Sequence, residues 1–122
     1  MPEKARLVVV NTTPIIVLSL IGKLDLLHLL YGQVVAPPSV QAEVLALALE
    51  LNADLVIVDE RLARLHAKRL GLTLTGSLGV LLRAKQLGHV KAVAPLIRRL
   101  RQGGIHLSDM VVAQVLALAD EI

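Results

Sequence analysis

Three oxygen-bearing side chains stand where this chain could assemble chemistry: Asn11, Glu43 and Asp59. Asp59 ends the hydrophobic run LVIV at 55–58 and is followed by Glu60, Arg61 and, one helical turn on, Arg64. Asn11 ends the run LVVV at 7–10, and Glu43 lies a few residues past Pro37 and Pro38, which stop a third run. Carboxylates gathered in one place repel each other, and they persist where a divalent cation compensates them. An all-oxygen donor set, with no cysteine in the chain and no paired histidines, suits Mg²⁺ or Mn²⁺ better than zinc. Mg²⁺ needs only one or two carboxylates and fills its shell with water and substrate phosphate, so such a site could activate water for phosphodiester hydrolysis.

Each residue also has a plainer role open to it. Asp59, at a strand-to-helix junction, could cap the next helix and face its positive end. Glu43 could be a first-turn glutamate serving the same dipole. Asn11 could be a turn residue bonded to nearby backbone. Spacing alone does not decide between these roles and a metal site.

The elements that would position these residues are legible from the pattern. Strands are expected at 6–10, 33–36, 55–59 and 72–75. Between and after them come helices at 14–23, 24–32, from about Val40 to 51, 60–71, 77–88, 90–104 and 107–122. Thr12 or Thr13 can cap the first helix ahead of Pro14, and Ser39 and Ser77 can cap later ones. Pro95 is expected near a break, and Asp109 at the start of the last helix. Strands that alternate with helices, and that read as continuous apolar runs, imply a parallel sheet covered on both faces. The expected architecture is a three-layer α/β/α domain spanning 1–122, with several C-terminal helices. Ligands of such sheets bind outside the carboxyl ends of the strands, which is where Asn11 and Asp59 fall.

Composition narrows the classes. A chain of 122 residues can bury a core without disulfides or a structural metal. Its hydrophobic fraction of 55% and mean hydropathy of +0.69 are high, with Tyr31 the only aromatic, so part of the excess is expected to cover a symmetric dimer interface. No uncharged stretch is apolar and long enough to span a membrane, and the NTTP break at 11–14 with no cleavage site argues against a signal peptide. The absence of cysteine fits a reducing cytoplasm. Net charge is +3, but the cations cluster: Arg61, Arg64, Lys68 and Arg69; Arg83 and Lys85; Arg98, Arg99 and Arg101. Such clusters suit a polyanion backbone or form a solvated helix face. The four histidines are scattered. TGSLG at 75–79 has the shape of a glycine turn before a helix, open to an anion or to a plain Ser77 cap.

The stretch VVVNTTPIIVLSLIGKLDLLHLLYGQVVAPPSVQAEV resembles the amino-terminal half of PIN-domain proteins, in particular their small prokaryotic toxin-like ribonuclease branch. ALALELNADLVIVDERLARLHAKRLGLTLTGSLGVLLRAKQLGHV resembles the carboxyl half. The resemblance implies a Mg²⁺- or Mn²⁺-dependent endoribonuclease with a four-acid site, often dimeric and often neutralised by an antitoxin protein. It sets Asn11 at the first acid position, Glu43 at the second and Asp59 at the acid after the later strand. Arg61, Arg64, Lys68 and Ser77 then become candidate RNA contacts. The family's third acid opens a second helix after an intervening stretch, and neither is present here. Residues 40–51 are apolar nearly all round a helix, as two half-helices joined end to end would be. The alternative reading is a PIN-like fold that has lost catalysis and serves as a nucleic-acid- or protein-binding module.

Overall fold

The computed structural model describes residues 7–38 and 41–122. Arg6 at the expected start of the first strand, the Ser39 cap and the helix start at Val40 lie outside the described residues. Among those described, the order is β1 (Leu7–Val10), α1 (Thr12–Leu20), α2 (Leu26–Leu30), β2 (Gln33–Val35), α3 (Gln41–Glu50), β3 (Leu55–Ile57), α4 (Arg61–Arg69), β4 (Leu74–Thr75), α5 (Ser77–Gln86), α6 (Ala94–Gln102) and α7 (Asp109–Leu118).

The four strands form one parallel sheet in the order β2-β1-β3-β4. β1 consists of apolar residues that fit a pleated surface buried on both faces, and the period-two alternation divides them. Val8, Val10 and Ile57 join the core built with α1, α2, α5, α6 and α7. Val9, Val56 and Val58 join the smaller core under α3 and α4. The result is the expected α/β/α sandwich.

β1 has β2 on one side and β3 on the other, so the connections diverge from this pair and open the sheet's switch point at their carboxyl ends. The pairing runs one residue past the strands, because the Asn11 N–H donates to the Ile57 carbonyl at 3.0 Å.

α3 resolves the apolar run at 40–51 by facing Val44, Leu45 and Ala48 to the sheet, which leaves Leu49 and Leu51 exposed. α4 buries its two alanines, Ala63 and Ala67, and exposes Leu62 and Leu65 with the basic residues. Pro95 does not break a helix; it stands in the first turn of α6, where its missing N–H has no intrahelical partner to lose. Ser108 caps α7 through the Val111 N–H, and Asp109 in the first turn pairs with Arg101 at 3.1 Å.

The carboxyl end of the described chain is clamped. Glu121 accepts from the Val93 and Ala94 N–H groups at 2.6 and 2.9 Å and meets Lys85 Nζ at 3.1 Å. Lys85 also donates to the Ala119 carbonyl. Burial pushes the Glu121 carboxyl up, but those two N–H donors and Lys85 outweigh it and hold the group below its ordinary value. Among the described residues, no helix is long and apolar enough to cross a membrane.

Candidate functional site

Asp59 leaves β3 by way of Val58 and reaches across to the start of α5, the helix after the neighbouring strand. Its Oδ1 accepts the Ser77 N–H at 2.6 Å and its Oδ2 accepts the Ser77 hydroxyl at 2.5 Å. Asp59 therefore caps a helix, but not the one that follows it. The N-cap of α4 is Glu60, whose side chain makes no capping bond. The carboxylate is the anion at the positive end of α5, so the glycine turn at 75–79 is already filled from within the chain.

This corrects the reading of Ser77. It is neither the N-cap of α5, a position taken by Gly76, nor a free RNA contact; it is 3% exposed and both its donors are given to Asp59.

Gly76 makes the approach possible. A Cβ there would lie 2.7 Å from Asp59 Oδ1 and 2.7 Å from Arg64 Nη1, closer than any side chain tolerates. Arg64 is thus brought beside Asp59, and its Nη1 donates to the Val58 carbonyl at 3.1 Å. One turn of α4 supplies this cation because Arg64 stands four residues after Glu60, with its own N–H bonded to the Glu60 carbonyl.

Asn11 is the N-cap residue of α1, makes no side-chain capping bond and is 3% exposed. It stands at the same sheet edge as Asp59, one strand away. Glu43 lies in the first turn of α3 and is exposed, on the layer opposite α1 and α5. Glu50 is exposed at the other end of α3. Among the described residues, no three His, Asp or Glu side chains converge as a metal site.

A cleft of about 800 Å³ opens beside Asp59. Asp59, Arg61 and Arg64 line it, with Thr13, Thr75 and Ser77. Much of the remaining wall is aliphatic, from Val17 of α1, Leu100 of α6, the 104–107 turn and Val111 and Val115 of α7. Among the described lining residues, Asn11, Glu43 and Lys68 do not appear. Lys68 is exposed further along α4.

Similarity to known proteins agrees with this arrangement. A PIN-domain family model matches residues 7–46 and, in a second stretch, 40–121. The chain belongs to the PIN-domain family. Residues 40–46 fall in both stretches, so one run of chain, the start of α3, stands where the family has two. No curated protein and no solved structure matches the chain.

PIN domains generally use divalent metal ions, and the donor chemistry here fits a thinly populated site of that kind. Asp59 is oriented by second bonds to Ser77 in the way metal-ligating carboxylates usually are, and a carboxylate that accepts two hydrogen bonds still has lone pairs for a cation. Asn11 offers an amide oxygen and no charge. Sequence reasoning missed the cleft's α7 wall and His106, which lines it, because the turn that brings them over the sheet edge carries no signal of its own.

Proposed function

We propose that this PIN-family chain is a metal-dependent endoribonuclease working as a single PIN-like domain over 1–122, with Asn11, Glu43 and Asp59 as the ligands of one Mg²⁺ or Mn²⁺. The observation that carries the reading is Asp59 itself: a carboxylate at the switch point of a parallel sheet, braced by Ser77 and flanked by arginines at an open cleft. A cation held there supplies a Lewis acid and a bound water of lowered pKa. The protein's part is to present Asp59 rigidly and to bring phosphate near it. Arg61 and Arg64 at the cleft, and Lys68 further along α4, neutralise the phosphate chain of RNA. Asn11 adds a neutral oxygen, so the site depends on Glu43 and Asp59 for charge.

The family resemblance supports the further reading of a toxin of a toxin–antitoxin pair, cytoplasmic, homodimeric and bound by an antitoxin protein. A second reading has its own observation: with no three acidic or His side chains converging among the described residues, the chain is a PIN fold that binds RNA or protein without cutting. Incubating the protein with labelled RNA in Mn²⁺, Mg²⁺ and chelator separates the two. Cleavage in metal alone, lost in Asp59→Asn, supports the nuclease; RNA binding of wild type without cleavage in any condition supports the binding module.

A further inference from the structure

α7 turns Val112 and Val115 into the core, yet its opposite face is not polar. Met110, Ala113, Gln114, Ala117 and Leu118 recur at helical spacing and are all exposed, Met110 at 70% and Leu118 at 66%. None is charged, and the acids Asp109 and Asp120 only bracket the stripe. A helix that is apolar all round is normally covered on both sides.

We propose that the outer face of α7 packs against the same face of a second copy, antiparallel, about a twofold axis at Gln114. The proposal rests on the homodimer reading above and is independent of the nuclease chemistry. The stripe is symmetric about Gln114. In an antiparallel pair Met110 meets the partner's Leu118, and Val111 meets the partner's Ala117, so a branched residue faces a small one. Ala113 and Ala117 allow the axes to approach to about 8 Å. Gln114 is the one polar side chain of the stripe, and an amide is both donor and acceptor. Two Gln114 amides across an axis satisfy each other, whereas against a wholly apolar partner each would be left unpaired.

Charge agrees with this occupant. RNA would find no cation on the stripe. At each end Asp109 approaches the partner's Asp120, and Arg101, already 3.1 Å from Asp109, is the cation between them. Val111 and Gln114 also line the cleft beside Asp59, so the second copy would wall that cleft along α7. A helix of 10 residues covers less than the about 800 Å² per partner of a standard interface. Association is therefore weak, with a dissociation constant on the order of 10 μM.

The chain has no cysteine, so single cysteines report the geometry cleanly. Under mild oxidation of the full chain, Gln114→Cys forms a covalent dimer because its Cα approaches its own copy. Met110→Cys alone does not, while Met110→Cys with Leu118→Cys does. Sedimentation of wild type across that concentration range shows a monomer–dimer shift, and Ala117→Arg stays monomeric at an unchanged melting temperature. Should Ala117→Arg fail to fold, the cysteine result decides alone. Wild type that stays monomeric throughout overturns both the homodimer reading and this surface. A wild-type dimer in which Met110→Cys crosslinks and Gln114→Cys does not overturns the α7 pairing and leaves the homodimer reading standing.

Discussion

Asp59 and Ser77 hold each other at two points, through the backbone N–H at 2.6 Å and the hydroxyl at 2.5 Å, across 18 positions of sequence. That pair joins the end of β3 to the start of α5, and it sets how Asp59 can act. An acid placed at a sheet edge for metal binding is expected to be relieved when its charge is removed. An acid serving as the anion of a helix is expected to be missed.

For Asp59→Asn the structure therefore points to a cost. The amide keeps one acceptor for the Ser77 N–H but loses the charge that strengthens both bonds. In chelator, stability should fall by about 1–2 kcal/mol, the range for a weakened charge-assisted bond at a helix end. Chemical denaturation of wild type and variant measures it. The sequence alone led to the opposite expectation, level or raised stability, because the Ser77 contact spans a strand and a helix and leaves no local signal.

Gly76→Ala tests the crowding around the same pair. Its Cβ would meet Asp59 Oδ1 and Arg64 Nη1 at 2.7 Å each. Arg64 can swing away, but Asp59 is tied to Ser77 and cannot move without losing a bond. A loss of about 1–3 kcal/mol is expected, as for overpacking elsewhere. A melting temperature equal to that of wild type would show that the turn relaxes freely.

Much of the fold was readable from the chain. The β1 valines, the LVI run of β3 and the Pro37-Pro38 stop give the strands and their parallel arrangement, because these are local patterns of burial. Asn11 and Asp59 at the carboxyl edge follow from the same rule. What was not readable depended on distant contacts. Pro95 looked like a break and opens a helix, Ser77 looked like a cap and is a partner of Asp59, and the cleft's far wall comes from a turn some 45 residues beyond Asp59 in the chain.

The Glu121 clamp predicts an acid-sensitive carboxyl end. Its carboxyl is held below the ordinary glutamate value, so it contributes stability fully present above that value. The contribution is lost as pH falls through the lowered folded value. Glu121→Gln should be less stable than wild type at neutral pH, and the difference should shrink toward low pH. Thermal melts of both proteins at a series of pH values test the sign.

Arg61→Ala and Lys68→Ala should weaken RNA binding with little regard to sequence. Each residue lost should lower the slope of log affinity against log salt by about 0.7 for single-stranded RNA. Fluorescence anisotropy at several salt concentrations reads this directly, and an unchanged slope would remove α4 from the RNA path.

The central claim is that Asp59 ligates a divalent cation at the sheet edge while Ser77 braces it. Calorimetric titration of Mn²⁺ into wild type and Asp59→Asn tests it without depending on activity. Saturable binding to wild type, steeply weakened in the variant, is the predicted result. Equal binding by the two proteins, or none by wild type, would contradict it and leave Asp59 as the cap of α5 alone.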